Sequence, residues 1–369
     1  MSPKEKLQQL LSYAGIQING TRDYDIQVHD ERVYSEVLSR GSLALGETYM
    51  DGGWDVKHPD QFFTKVLRRG LAKEIGSWRS IFPWLRAKLI NLQGRSRAFE
   101  VGEKHYDIGN KLYSLMLDER MIYSCAYWKD AETLDEAQEA KLDLICRKTR
   151  LKPGMRILDL GCGWGGFAKY AAEHYGVEVV GITVSEEQAR LAEETCEGLP
   201  IEIRVQDYRD LNEEFDAIIS TGMFEHVGVK NYRAFMEVVS RCLVEDGLFL
   251  LHTIGSERET NSIEPWMERY IFPNAMLPSP RQILKSSRDL FVLEDWHNFG
   301  ADYDKTLMAW HENFVNSWDE LKEDYDERFY RMWTYYLLSC AGSFRSRYNW
   351  LWQIVFSKNG VEGGYEYIR

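Results

Sequence analysis

The chain has 369 residues, 44% hydrophobic and 28% charged, a composition typical of a soluble globular protein long enough for two folding units. Its formal net charge of −13 argues against nucleic-acid binding, which requires a basic surface. The N-terminus MSPKEKLQQLLSYAGI lacks an apolar stretch of signal-peptide length, and no window reaches the roughly 18 apolar residues of a membrane span, so we expect a cytoplasmic protein.

The first 65 residues predict a small mixed module. Helices are expected near 3–14, 31–39 and 59–70, with a strand in RDYDIQVHD. GSLALGETYMDGGWDV supplies turn glycines and an apolar stripe between them. The sequence GRSR, which ends the segment after this module, marks a boundary. We therefore predict an N-terminal domain with a basic linker over 1–97 and a second domain over 98–369.

Residues 65–97 form a basic segment, with nine Lys or Arg and one Glu. Trp78, Phe82, Trp84 and Leu85 lie among these charges. Cations beside aromatic and aliphatic side chains are typical of segments that lie on an anionic membrane surface. A solvated linker whose cations pair with the acidic remainder of the chain is the alternative interpretation.

From about residue 100 the pattern alternates between strand and helix. Strands are predicted in MRILDLG, VEVVGITV, IEIRVQDY, FDAIISTG and LFLLHTIG, with helices in FAKYAAEHYG, from Ser185 onward and in NYRAFMEVVSRCLVEDG. Such alternation predicts a parallel sheet with helices on both faces. FVLEDWHNFG and WLWQIVFSK add two strands around aromatic-rich helices over about 303–347. Seven strands ending in this pair favour the methyltransferase variant of the doubly wound α/β fold.

A glycine loop, DLGCGWGG, follows the first strand of this pattern. Asp159 precedes Gly161, Gly163 and Gly165 at alternating positions, where only glycine lets the backbone approach a ligand closely. The spacing differs from the Gly-x-Gly-x-x-Gly of pyrophosphate binders and favours S-adenosylmethionine. A tight turn without a ligand is the alternative.

The other strand ends offer further contacts for such a ligand. The second strand lacks the acid that usually holds the ribose, and Thr183 and Gln188 are candidate substitutes, unless both only cap the next helix. Asp207 closes the third strand, where a carboxylate can accept from an adenine amino group. Tyr208 beside it is placed to flank the ring.

Three candidate reactive residues lie near this loop in the pattern. Glu225 in GMFEHVG and His252 in LHTIG follow neighbouring strands, whose carboxyl ends bind ligands in open α/β sheets. His252 is equally compatible with a buried structural role. Cys125 in YSCAYW could be a core residue, a redox thiol, a nucleophile or part of a site wall. No further ligand at metal-like spacing follows, and the six cysteines form no CxxC pair, so no metal site is predicted.

Together, YSCAYW, DLGCGWGG, GITVSEEQ, GMFEHVG, LHTIG and DYDKTLMAW resemble the cyclopropane fatty acid synthase family in order and spacing. The resemblance covers essentially the whole chain, including GSLALGETYMDGGWD. It implies a class I S-adenosylmethionine-dependent methyltransferase fold with a small mixed N-terminal domain. It also implies methylene transfer from S-adenosylmethionine to the cis double bond of an acyl chain in a membrane phospholipid, through a carbocation and with bound bicarbonate as the base.

The resemblance also assigns site residues and partners. It implies that bicarbonate is held by Cys125, Glu225, His252, the main chain of Ile254, and Tyr303. The implied cofactor contacts are Tyr123, Ser124, Asp159, Gly161, Gly163, Thr183, Gln188, Asp207 and Tyr208. A homodimer bound peripherally to the inner face of the cell membrane is expected.

Two alternatives keep parts of this interpretation. A methyltransferase that adds a plain methyl group to an acyl chain or a small amine would use the same fold, although an amine substrate needs neither the N-terminal module nor the basic segment. A non-catalytic lipid-binding protein is the alternative from another class. Loss of catalysis would be expected to erode the glycine loop and the polar site residues, and all of them are present.

Overall fold

The computed structural model describes residues 1–71, 109–259 and 262–369. These residues form two compact units. The first contains 1–71, 262–273 and 303–349, and the second contains 109–259, 274–302 and 350–369. Most of the basic segment and the domain boundary at residue 97 lie outside the described residues, and the division at that boundary stays a prediction.

The N-terminal elements follow the predicted order with one difference. Helices α1 (Pro3–Ser12), α2 (Arg32–Arg40) and α4 (Pro59–Arg68) lie where they were expected, and strands β1 (Gln27–Val28) and β2 (Trp54–Asp55) pair antiparallel. In the stretch predicted to supply turn glycines, Gly41 and Gly52 have the positive φ of turn residues, but the residues between them form a helix, α3 (Ser42–Met50), that was not predicted. Gly46 is required inside it because a Cβ there would lie 2.3 Å from the Trp266 ring.

The second unit begins with helices and then alternates strand and helix. Its elements up to residue 255 are α5 (Asn110–Met116), α6 (Leu134–Lys148), β3 (Arg156–Leu160), α7 (Gly166–Tyr175), β4 (Glu178–Thr183), α8 (Glu186–Thr195), β5 (Ile201–Val205), β6 (Phe215–Thr221), α9 (Phe224–Val227), α10 (Tyr232–Cys242) and β7 (Leu243–Gly255). The last of these strands begins five residues before its predicted start, because the helix ahead of it ends at Cys242.

The remaining elements alternate between the two units. They are α11 (Pro265–Tyr270), α12 (Pro280–Ser287), β8 (Val292–Asn298), α13 (Ala301–Asn316), α14 (Trp318–Leu321), α15 (Glu327–Arg345) and β9 (Trp350–Ser357). Within the first unit α15 packs against α3 and α4. Arg345 near its end pairs with Asp60 of α4 and with Asp304, which lies 2.7 Å away. Distant segments of the sequence thus complete the core of the N-terminal unit.

The seven-stranded sheet confirms the predicted fold class. Its order is β5-β4-β3-β6-β7-β9-β8, parallel from β5 to β7, with β9 antiparallel to both of its neighbours. The chain order reverses on either side of β3, which is where open α/β sheets bind ligands. The carboxyl ends of the five parallel strands therefore meet at one edge.

Alternating side chains cover the two faces of this sheet. Leu158, Ile182 and Phe249 face a core shared with α10, whereas Ile157, Val179 and Leu250 face one shared with α6 and α7. Burial on both faces fixes the strand register, because a slip by one residue would exchange the two sets. The strand ends that carry the candidate site are positioned by these cores.

The described residues contain neither a membrane-spanning helix nor a cluster of metal-binding side chains. None of their helices is long and apolar enough to cross a membrane. In the same part of the chain, no group of three His, Cys, Asp or Glu side chains is placed to hold a metal ion.

Candidate active site

The glycine loop leaves β3 with three positive φ angles. Gly161, Gly163 and Gly165 have φ of +87°, +55° and +83°. Such angles favour glycine, which has no Cβ to clash. A Cβ on Gly161 would lie 3.1 Å from Met223, whereas one on Gly163 would meet no heavy atom within 4 Å. The backbone at Gly163 therefore faces open space that a ligand can occupy.

Asp159 lies beside this loop with its carboxyl buried. Its side chain is 2% exposed, and its Oδ2 has no hydrogen-bond partner among the described residues. Burial raises the pKa of Asp159 to about 7, although the nearby charge of Lys141 opposes the shift. A buried polar atom without a partner costs stability, so this carboxyl is suited to bind a hydrogen-bond donor of a ligand.

Two buried side chains of α6 donate hydrogen bonds to residues in and next to the YSCAYW stretch and hold it in place. Gln138 donates from Nε2 to the carbonyls of Ile122 at 3.1 Å and of Ser124 at 2.9 Å. Lys141 donates from Nζ to Ser124 Oγ at 3.0 Å. Cys125 between the aromatic residues is fully buried, with Sγ 3.2 Å from the Ala126 carbonyl oxygen. This packing supports the interpretation of Cys125 as a wall residue.

At the end of β4, two uncharged side chains lie where many methyltransferases have an acid. Thr183 Oγ1 lies 2.9 Å from Gln188 Oε1, to which it donates. Ser185 caps α8 by accepting from the Gln188 N–H at 3.3 Å. The predicted pair is therefore brought together, with both side chains buried.

Asp207 and Tyr208 lie after β5 in more constrained surroundings than predicted. The Asp207 carboxylate accepts from the Arg209 N–H at 2.9 Å and from Arg209 Nη1 at 2.8 Å. Tyr208 is 5% exposed, and its ring packs edge-on against Phe235 with centroids 5.3 Å apart. Both oxygens of Asp207 already accept hydrogen bonds, so an adenine amino group would have to share one of them.

Glu225 is oriented by the main chain of the neighbouring strand. The Ile254 N–H in β7 donates to Glu225 Oε1 at 2.6 Å. Glu225 Oε2 is buried and has no hydrogen-bond partner in the described part of the chain. Burial raises the pKa of Glu225 to about 7, against the opposing effect of the Ile254 hydrogen bond. Near neutral pH, a substantial share of this carboxyl is protonated and able to donate.

His252 is the second buried polar side chain at this edge. Gln353 Nε2 lies 3.4 Å from His252 Nδ1. Because an amide nitrogen can only donate, Nδ1 accepts and Nε2 carries the proton. His252 Nε2 has no hydrogen-bond partner among the described residues. Burial holds the pKa of His252 well below its usual value, so the ring is neutral.

The structure assigns the predicted residues to both units. Tyr303 belongs to the first unit, where its ring stacks on Phe344 with centroids 4.5 Å apart. All the others lie in the second unit, at or near the carboxyl edge of the sheet. Lys141, Gln138 and Gln353 were not predicted from the sequence. Lys141 and Gln138 could have been found from one feature of the sequence: they are polar residues three positions apart on the buried and mostly apolar face of a helix.

Comparison with known families gives one clear match. The family model described as mycolic acid cyclopropane synthetase matches residues 93–354. The chain is 56% identical over 362 residues to the cyclopropane-fatty-acyl-phospholipid synthase of Escherichia coli K12, covering 98% of this chain and 94% of that protein. It is also 37% identical to a probable fatty acid methyltransferase of Pseudomonas putida, over 71% of this chain and 70% of the relative.

Solved structures agree with these sequence relatives. A cyclopropane synthase from Mycobacterium tuberculosis aligns with a TM-score of 0.67 and 31% identity, covering 70% of this chain and 98% of that one. A mycolic acid cyclopropane synthase complexed with SAH and CTAB aligns with a TM-score of 0.66 and 33% identity, with the same coverage. A coclaurine N-methyltransferase, at 22% identity and a TM-score of 0.70 over 85% of this chain and 99% of that one, shares the fold.

Proposed function

Because the chain belongs to the mycolic acid cyclopropane synthetase family, we propose that it is a cyclopropane-fatty-acyl-phospholipid synthase. The reaction transfers a methylene group from S-adenosylmethionine to the cis double bond of an unsaturated acyl chain in a membrane phospholipid. The observation that carries this proposal is the 56% identity to the Escherichia coli enzyme over 98% of the chain. Such a relationship extends through the N-terminal unit, which a small-amine methyltransferase does not need.

The site fits S-adenosylmethionine by the chemistry of its groups. The open backbone at Gly163 and the unpartnered carboxyl oxygen of Asp159 suit the amino acid end of this ligand. Thr183 and Gln188 are proposed to contact its ribose, and Asp207 and Tyr208 its adenine. The remaining proposed contacts are Tyr123, Ser124 and Gly161. When bound, S-adenosylmethionine supplies an electrophilic methyl group.

Glu225 and His252 fit a small anion such as bicarbonate. Each presents a buried polar atom with no partner among the described residues. The neutral imidazole donates from Nε2, and the Glu225 carboxyl donates from Oε2 when protonated. We propose that both hold the ion, together with Cys125 of the same unit. The Ile254 N–H is already bound to Glu225, and the Ile254 carbonyl oxygen accepts from Thr253 Oγ1 at 3.1 Å, so the ion would contact this main chain through the second lone pair of that oxygen.

A weakly basic ion suits the proposed chemistry. Transfer of a methyl group to the alkene would leave a carbocation on the acyl chain, and loss of a proton from that methyl closes the ring. The proton is acidic only once the cation exists, so a weak and well-placed base is sufficient. A strong nucleophile at the same place would trap the cation. The chain contributes position and exclusion of water, through the buried settings of Glu225, His252 and Cys125.

Analysis of fatty acids tests the proposed activity. A bacterium that lacks its own synthase and expresses this chain is expected to gain acyl chains heavier by one methylene, with loss of the parent unsaturated species. Proton NMR of the extracted lipid should show cyclopropyl signals and fewer alkene signals. Retained alkene signals on a heavier chain would indicate plain methyl transfer instead. Unchanged acyl chains, with folded protein present, would contradict the synthase proposal.

The first unit is proposed to contact the membrane. Lys65, Arg68 and Arg69 line a cleft of about 560 Å³ together with Gln61, Thr64, Ala14 and Arg345. Arg345 is neutralised by Asp60 and Asp304, whereas Arg68 and Arg69 have no carboxylate partner among the described residues. Exposed cations of this kind attract anionic headgroups. Arg86 and Lys88, which belong to the same basic segment of the sequence, lie outside the described residues. A peripheral homodimer is part of the same proposal.

A further inference from the structure

Lys141 is a buried cation that the proposed function has not yet used. It lies on α6 with 1% of its surface exposed, and its Nζ donates to Ser124 Oγ at 3.0 Å. No carboxylate of the described residues lies within ion-pairing distance of its ammonium group. An ammonium group has three N–H donors, and this single hydrogen bond uses one of them. Two donors of a buried cation therefore have no partner in the described structure.

The nearby acids do not neutralise this charge directly. Asp118 accepts from the backbone N–H groups of Ile122 at 2.9 Å and of Arg120 at 3.0 Å, so both of its oxygens are engaged. Asp159 is near enough for Lys141 to lower the pKa of its carboxyl, but the two form no ion pair. Burial lowers the pKa of Lys141 to about 8, so the ammonium form still predominates near neutral pH.

A buried charge without a partner is costly and is retained where a ligand supplies the partner. The free donors of Lys141 call for an anion, and its neighbour Ser124 adds a hydroxyl that can donate to the same group. S-adenosylmethionine carries one anionic group, the carboxylate of its amino acid end. Its sulfonium and amino groups would instead be repelled by a lysine.

Resting on the proposed function, we propose that Lys141, together with Ser124, binds the α-carboxylate of S-adenosylmethionine. Asp159, whose Oδ2 has no partner among the described residues, accepts from the α-amino group. Lys141 and Asp159 would thus bind the two opposite charges of the amino acid end. S-adenosylhomocysteine retains that end and is bound by the same contacts, whereas an adenosyl thioether without it is not.

Binding measurements with truncated ligands test this assignment. Calorimetry would compare S-adenosylhomocysteine with methylthioadenosine, which lacks the amino acid end, on the full-length wild type and on Lys141→Met. The variant is expected to lose about 10- to 100-fold in affinity for S-adenosylhomocysteine, because a charged hydrogen-bond pair is removed. Its affinity for methylthioadenosine should change by less than about twofold, since that ligand makes no such contact.

Lys148→Met is the matched control on the same helix. Lys148 is equally buried, but its ammonium lies 3.5 Å from Asp295 and 3.1 Å from His297 Nδ1. This substitution should leave both affinities unchanged. Equal losses for both ligands in Lys141→Met would overturn the proposal and make Lys141 a structural support of the YSCAYW stretch. Unchanged affinities for both would overturn it as well.

A wild-type experiment keeps the test independent of folding of the variants. Decarboxylated S-adenosylmethionine should bind the wild type about 10- to 100-fold more weakly than S-adenosylmethionine. Equal binding of the two would contradict a carboxylate contact. If the wild type binds none of these adenosyl ligands, the proposed cofactor itself is wrong. That outcome is distinct from a failure confined to Lys141.

Discussion

Two polar clusters of the second unit differ in how completely their groups are paired. Glu213 accepts from Arg156 and Arg204, each at 2.5 Å, on a partly exposed surface. Glu225, in contrast, is buried with one oxygen free of partners in the described residues, and no Lys or Arg there pairs with it. Arginine lowers the pKa of Glu213 to about 2, whereas burial raises that of Glu225 to about 7.

This difference in pairing distinguishes charges that stabilise the fold from polar groups that are available to a ligand. Exposed and fully paired charges contribute a little to folding and call for no ligand. Buried polar atoms without partners cost stability, so the fold retains them where a ligand completes them. Glu225, His252, Asp159 and Lys141, which also lie at or near the carboxyl edge of the sheet, are the residues that we propose for the site, and the Glu213 network is not among them.

The largest expected effect is on catalysis at Glu225. Glu225→Gln retains an oxygen that accepts from the Ile254 N–H, but its amide nitrogen cannot accept from the O–H of the bound bicarbonate as an ionised carboxylate oxygen can, so turnover should fall by about 10²- to 10⁴-fold. Affinity for S-adenosylhomocysteine, measured by calorimetry, should stay within about threefold of wild type. Glu213→Gln is the matched control and should retain normal turnover. Equal losses of turnover and of affinity in Glu225→Gln would assign Glu225 to the cofactor.

The stabilities of Glu225→Gln and Glu213→Gln, each relative to wild type, should depend on pH in opposite directions. Because the folded pKa of Glu225 is raised from 4.5 to about 7, its contribution is full below pH 4.5 and is lost as pH rises through 7. At pH 8 the free energy of unfolding of Glu225→Gln should therefore exceed that of the wild type by about 1–3 kcal/mol. The pKa of Glu213 is lowered, so its contribution is present above pH 4.5 and is lost as pH falls toward 2.

Denaturant unfolding across this pH range makes the comparison quantitative. Glu213→Gln should destabilise by less than about 1 kcal/mol above pH 4.5, because its ion pairs are partly exposed. Near pH 2 the free energies of unfolding of Glu213→Gln and the wild type should become equal. A loss of stability in Glu225→Gln at pH 8 would mean that the ionised carboxylate has a favourable partner in the folded protein.

The cations of the first unit extend the comparison to groups that are unpaired but exposed. Reversing both charges in Arg68→Glu/Arg69→Glu should weaken sedimentation with anionic vesicles by about 5- to 30-fold, since each surface cation contributes about 1 kcal/mol. Arg32→Glu on the same unit, whose side chain is 87% exposed and pairs with Asp30, is the control. Unchanged vesicle binding in the double variant would favour the solvated-linker interpretation for these residues.

The smallest expected effect is at Cys125, which is buried and close to a carbonyl oxygen. Cys125→Ser conserves the shape of the wall and should slow turnover by about 3- to 10-fold. Rates with unsaturated phospholipid vesicles would measure it. Complete loss of turnover in a folded variant would return Cys125 to the role of a nucleophile.

Much of the second unit could be predicted because its signals are local. The glycine loop, the strand alternation and the polar residues at strand ends are all contained in short stretches of sequence. Helix α3 was missed because glycine is unfavourable inside a helix, and the reason for Gly46 is the distant Trp266 ring.

Other residues near the proposed site were also missed because their roles depend on contacts between segments that are distant in the sequence. Gln353 meets His252 only because β9 pairs with β7. Lys141 looks like any polar residue of an amphipathic helix until the packing shows it buried without an anion. Pairing and burial are properties of tertiary structure, and these properties distinguish the two clusters.

The proposed catalytic role of Glu225 and His252 depends on the anion that the two side chains are proposed to hold. Methylene transfer to unsaturated phospholipid vesicles should be measured with purified enzyme and S-adenosylmethionine in buffer depleted of carbon dioxide, before and after bicarbonate is added back. Turnover by the wild type is expected to fall on depletion and to recover with bicarbonate, whereas Glu225→Gln should not recover. Full turnover by the wild type without bicarbonate would contradict the proposed role of the two side chains.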